Sequence, residues 1–119
     1  MKREWCKIRG VKIAIGVGAS LLCEESDLFI YADMPRWEIQ KKFRKKILGN
    51  IGASNVGEDF FLLYKRAYFC DWRACDRMKQ TTFTKWDFIL DTTDNENPKF
   101  LTVDNLIMGL QKCAQQPCR

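Results

Sequence analysis

The sequence predicts an α+β domain in which an N-terminal β-hairpin is followed by about four α-helices, all in one body spanning residues 1–119. Three observations carry this expectation. Residues 5–32 are rich in β-branched and small apolar types and contain no helical stripe. Residues 34–116 divide into four segments, each opened by a helix-start signal. Apolar residues in those segments recur at helical spacing, with one side left to charged residues. A mainly α fold with an extended N-terminal arm is the alternative architecture. At 119 residues the chain is one domain by length, and nearly half apolar composition suffices for a core.

"VKIAI" (11–15) and "LFIYA" (28–32) read as two strands, and Gly16 and Gly18 between them make a hairpin the simplest connection. Asp33 then caps a first helix, with Pro35 in its opening turn and Gly49 and Asn50 as the stop. Asn55 and Glu58 form a capping-box-like start for a long second helix, about residues 56–79. Thr84 and Asp87 repeat that signature for a short third helix ending near Asp91. After the polar loop "TTDNENP", Thr102 caps a final helix with Asp104 in its first turn.

Helical projection assigns the buried sides. Val103, Leu106, Ile107, Leu110, Cys113 and Ala114 form one stripe on the last helix. Phe60, Leu63, Ala67, Cys70, Ala74 and Met78 form another on the long helix, while Leu62 and Phe69 lie almost opposite. A helix apolar nearly all round is either central or touches a partner as well as its own core.

The net charge of +5 is local: residues 36–46 hold six cations against a single acid, Glu38, whereas residues 47–119 are balanced. "RWEIQKKFRKKIL" (36–48) is therefore a basic amphipathic helix, with Ile39, Phe43 and Ile47 on one side. The bland reading is that this stripe faces the core and the lysines are its solvated back. The functional reading is a docking face for a protein partner or a second copy, made of Lys41, Lys42, Arg44, Lys45 and Lys46 with Trp37 as anchor. The runner-up is a sequence-nonspecific nucleic-acid binder using the same face with Lys2, Arg3, Lys7 and Arg9, because phosphate contacts need charge density and no code.

Other motifs carry less. The C-x4-C pairs Cys70/Cys75 and Cys113/Cys118 place their thiols roughly 140° apart on a helix, unlike the C-x2-C knuckle of structural zinc. "GVGAS" lacks the third glycine and the crossover helix of a dinucleotide-binding turn. "DNENPKFLTVDNLIMGL" resembles the second half of an EF-hand, but Pro98, Lys99 and Asn105 stand where calcium needs a ligand, a glycine and a bidentate glutamate. Asp71 falls within an apolar face, which calls for a cation such as Arg36 or Lys85 or a raised pKa. No second acid or base accompanies it. With histidine absent, the usual Ser-His and Cys-His pairs are excluded, and the expectation is a non-enzymatic interaction module with no cofactor and no metal.

The six cysteines are read as mostly reduced and the protein as cytoplasmic. "IAIGVGASLL" (13–22) imitates the apolar part of a secretory signal. Two glycines interrupt it, Glu24 and Glu25 follow without a small-x-small cleavage site, and no segment reaches the about twenty apolar residues of a membrane span.

Overall fold

The computed structural model describes residue 7, residues 9–23 and residues 25–117. The fold is α+β. In chain order it consists of a one-turn helix α1 (Ala19–Leu22), strand β1 (Ile30–Asp33) and helix α2 (Arg36–Arg44), then a helical rod. The rod is built from α3 (Phe60–Arg66), a π-helical turn (Ala67–Asp71) and α4 (Trp72–Thr82). A 3-10 turn (Phe83–Lys85), strands β2 (Phe88–Asp91) and β3 (Lys99–Thr102) and helix α5 (Val103–Ala114) complete it.

The sheet is not the expected N-terminal hairpin. Its order is β1-β2-β3, with β1 parallel to β2 (Ile30↔Phe88 to Asp33↔Asp91) and β2 antiparallel to β3 (Phe88↔Thr102 to Asp91↔Lys99). Residues 11–15 form no strand, and left-handed Gly16 and Gly18 turn the chain into α1 instead. β1 finds its partner far along the chain because "FILD" is apolar enough to be covered on both faces, as a central strand must be. Asp87 pins that pairing: its backbone N–H donates to Phe29 O (2.9 Å) and its carboxylate accepts the Phe29 N–H (2.7 Å). The Thr84/Asp87 signature therefore opens no third helix. After the 3-10 turn the chain extends at Trp86 and enters β2, so Asp87 caps a strand pair rather than a helix. The "TTDNENP" loop is a loop as expected, but it joins two strands. Asp91 accepts from the Thr93 N–H (2.9 Å) and hydroxyl (2.6 Å), and Asp94 from the Glu96 N–H (3.0 Å).

Helix α2 is shorter than the expected 36–48. It begins after Pro35 rather than under an Asp33 cap, since Asp33 ends β1 and its carboxylate meets Lys79 (3.1 Å). It stops through a Schellman motif three residues before Gly49: the Ile47 N–H donates to Lys42 O (3.2 Å) and the Lys46 N–H to Phe43 O (3.0 Å), with Lys46 at φ 56°. Lysine occupies the left-handed position that glycine usually fills. Ile47 consequently leaves the stripe and is exposed, whereas Phe43 is buried and Ile39 packs beside it.

The rod starts at Phe60, with Asp59 accepting the Phe61 N–H (2.9 Å), a few residues later than the Asn55 signature suggests. Asn55 serves a loop instead. Its Oδ1 accepts the Asn50 N–H (2.9 Å), while its amide donates to Asn50 Oδ1 (3.0 Å) and Glu58 Oε2 (3.0 Å). Gly49 is required here, because a Cβ would stand 2.7 Å from Asn55 Oδ1, an atom held by that network. Buried Asn50 donates onward to Leu63 O (3.0 Å) and Asp71 Oδ2 (2.8 Å), tying the loop to the rod.

The π turn changes which residues are buried. Leu63 and Ala67 are fully buried as expected, but the next buried position is Trp72, five residues on, not Cys70 or Ala74. One extra residue per turn rotates everything after it by roughly a quarter turn. Cys70 and Ala74 are thereby exposed. Phe43, Leu63, Ala67 and Trp72 form the helical core, with Ile39, Leu48, Phe60 and Tyr64 around it. A second small core lies against the sheet, where buried Trp86 stacks on Tyr31 (4.0 Å) and donates to Thr82 Oγ1 (3.0 Å). On α5 only Val103, Leu106 and Ile107 of the expected stripe are half-buried; Leu110, Cys113 and Ala114 are exposed because the sheet ends beneath the first turns.

Candidate functional site

Phe43 and Leu63 fix α2 against the rod, and this packing lines up aromatic and cationic side chains along their shared outer border. Trp37 is 57 % exposed, with Lys41 Nζ 5.7 Å and the Arg44 guanidinium 5.6 Å from its ring centre. Arg44 also covers the Phe60 ring at 4.3 Å, so one guanidinium bridges the two helices. From Phe60 the ring contacts continue to Phe61 (5.5 Å) and to Tyr64 (6.0 Å), then to Tyr68 (6.2 Å) and Phe69 (5.1 Å). Tyr64 also meets Trp72 (5.6 Å), over which Arg36 stacks (5.2 Å) while pairing with Asp76. The result is a continuous aromatic seam from Trp37 to Phe69 with arginines laid on it.

The expected docking residues are not one helical face. Trp37, Lys41 and Arg44 come together on the seam. Lys41 also donates to Glu38 (2.8 Å), and Lys42 turns toward Asn95 of the β2–β3 loop (3.4 Å). Lys45 and Lys46 sit past the helix, in its terminating turn, and are exposed. The seam's remaining apolar members are Phe61, Tyr68 and Phe69 (57 % exposed), and Leu62 (55 % exposed) lies elsewhere on the outer surface of the rod. The all-round apolar pattern of the rod was the signal for Leu62 and Phe69. Phe61 and Tyr68 were legible as flanks of the rod's apolar stripe, whereas the arginine stacking needed the helix packing to be seen.

The titratable groups elsewhere are arranged for structure. Asp71 is half-exposed rather than set in an apolar face, because the π turn carries it round to Asn50 and the Ile51 N–H (3.3 Å); Arg36 is taken by Asp76. Burial, and then Asp71 and Asp76, push the Cys75 thiol up, which keeps it protonated and a poor nucleophile. Cys23, Cys70, Cys75 and Cys113 are free thiols. Cys6 and Cys118, like Lys2 and Arg3, lie outside the described residues. Among the described residues no three Cys, Asp or Glu side chains converge as a metal site would require, and no helix is long and apolar enough to cross a membrane.

Tyr31 gives a pH signature. Burial first, then the charge of Asp33, raises its pKa from 10.0 to about 12. The unfolded chain ionises this phenol near its ordinary value while the folded chain keeps it neutral. Its contribution is therefore present below pH 10.0 and lost as pH climbs to about 12. A phenolate absorbance titration is expected to show a late phase that Tyr31→Phe removes, with a shallower fall in Tm over that window. An unchanged late phase in the variant would assign it to another tyrosine.

In comparison with known proteins, residues 1–115 fit a family model described as a domain of unknown function, DUF8485. No curated protein and no solved structure matches the chain.

Proposed function

The chain belongs to the DUF8485 family, whose description assigns no activity, and we propose from the geometry that it is a non-enzymatic docking domain. The seam is the docking surface, and the partner is a protein segment with apolar side chains flanked by carboxylates. The observation that carries this reading is the exposure of Phe61, Tyr68 and Phe69 on a run of ring contacts that begins at Phe60 under Arg44 of α2, with Leu62 also exposed on the rod. Apolar surface beside positive charge fits a protein partner, whereas a bare basic groove fits phosphate.

Trp37, Tyr68 and Arg44 supply the residue types that dominate interface energetics, already held in place by mutual stacking so that little side-chain freedom is lost on binding. Lys41 on the seam and Lys45 and Lys46, exposed in the turn that ends α2, would steer an acidic partner and set its salt dependence. The second reading, single-stranded nucleic acid, would use the same exposed rings and arginines as stacking platforms. The proposed setting is cytoplasmic, where the four free thiols among the described residues would stay reduced.

The test pairs two double variants. Leu62→Ser with Phe69→Ser is expected to weaken capture of a co-purifying partner at least about tenfold, the scale of central interface residues, without loss of helical signal. Lys45→Glu with Lys46→Glu is expected to change mainly the association rate and its salt dependence. A fluorescent single-stranded oligonucleotide serves as the counter-probe. Binding to it that falls linearly with log salt and vanishes in the lysine variant would replace this reading with nucleic-acid binding.

A further inference from the structure

A cavity of about 430 Å³ lies between α4 and the one-turn helix α1, away from the seam. One wall is a single side of α4 carried on into the 3-10 turn: Ala74, Arg77, Met78, Thr81 and Lys85 recur at three- and four-residue steps. Ser20 and Leu21 of α1, with Phe29, form the other wall. The π turn is what frees the α4 side. Ala74 and Met78 belong to the stripe that local periodicity assigns to the core, and the rotation leaves Ala74 exposed and Met78 only half-buried.

Charge makes this cavity more than a packing crease. The chain holds 15 acids, yet no carboxylate among the described residues lines it. Elsewhere on α4 the charges are matched, Lys79 with Asp33 (3.1 Å) and Asp76 with Arg36. Arg77 and Lys85 make no ion pair and no hydrogen bond among the described residues. The half-buried Ser20 hydroxyl is likewise uncommitted, whereas Thr81 donates its own to Met78 O (3.1 Å). Apolar walls with a few unmatched donors of one sign are complementary to a molecule with an apolar body and one acidic end.

We propose that this cavity binds a medium-chain fatty acid, its carboxylate on Arg77 and its chain along Leu21, Phe29, Ala74 and Met78. The planar guanidinium offers a carboxylate two parallel hydrogen bonds. Lys85 adds a second positive charge, and Ser20 supplies a further donor. The apolar walls set the preferred length: affinity rises about fourfold for each methylene that still finds wall and levels off once the chain outgrows it. None of these residues belongs to the seam, so this site and the docking surface fail separately.

Isothermal titration calorimetry of the full-length protein at neutral pH with hexanoate, octanoate and decanoate tests the site. Saturable one-to-one binding that tightens along the series is the expected result. Octanol, equal in length to octanoate but uncharged, should bind at least about tenfold more weakly, and Arg77→Gln should weaken octanoate by a similar factor. Ala74→Trp fills the trough from an exposed position, so it should abolish binding with helical circular dichroism unchanged. No saturable binding by any of the three acids, equal affinity for octanol and octanoate, or wild-type affinity in either variant would each overturn the proposal.

Discussion

Leu63→Ala is expected to destabilise the protein by about 4 kcal/mol, the upper part of the range for emptying a buried leucine site. Leu63 is 0 % exposed and lies at the centre of the helical core, between Phe43 of α2 and Trp72 of α4. Its neighbours have little room to collapse, because Ala67 is already small and Trp72 is restrained by Tyr64 on one side and Arg36 on its face. Domains of this size are stable by about 5–15 kcal/mol in total, so the loss is a large share of what holds the fold. Denaturant unfolding followed by tryptophan fluorescence measures it. A midpoint shift worth under about 1 kcal/mol would mean that the α2–rod contact contributes little to stability.

Asn50→Leu is expected to cost about 3 kcal/mol despite keeping the branched shape of the side chain, the scale for stripping partners from a part-buried carboxylate and a neutral amide together. Asn50 is 5 % exposed and its side chain satisfies Leu63 O, Asp71 Oδ2 and the Asn55 amide at once. Leucine leaves Asp71 with only the longer bond from the Ile51 N–H and frees Asn55 from one of its restraints. Asn50→Asp distinguishes polarity from charge. It keeps an acceptor for Asn55 but sets a second carboxylate against Asp71, so its midpoint should fall further as pH rises through the carboxylate range. A leucine variant as stable as the wild type would show that the loop is held by packing alone.

The elements that sequence reading placed well are those whose signals are local. Thr102 caps α5 as its spacing requires, its hydroxyl accepting the Asn105 N–H (3.3 Å). Phe43 and Ile39 turn the basic helix inward as its apolar stripe requires. Leu62 and Phe69 stand outside because no rod can bury every side. The misplaced elements are those decided at long range. "FILDTT" is short and apolar, a pattern shared by buried strands and helix fragments, and only the arrival of β1 at Phe29–Asp33 settles it as a strand. Lys46 ends α2 because loop 47–55 must turn back toward Asp71, a demand absent from the local sequence.

By itself the sequence determined the α+β class, a helix carrying the cations of residues 36–44, the apolar surplus of the rod and the absence of histidine. Each follows from composition or from a periodicity that spans fewer than about twenty residues, where side-chain direction is set by backbone geometry. Tertiary structure alone decided the partner of β1, the residue where α2 stops and the π turn that exchanges Cys70 for Trp72 in the core. These are choices among local conformations of similar energy, and contacts between distant segments are large enough to select among them. The aromatic seam belongs to that second group: its rings were visible as residues, but the guanidinium that joins Trp37 to Phe60 exists only once two helices meet.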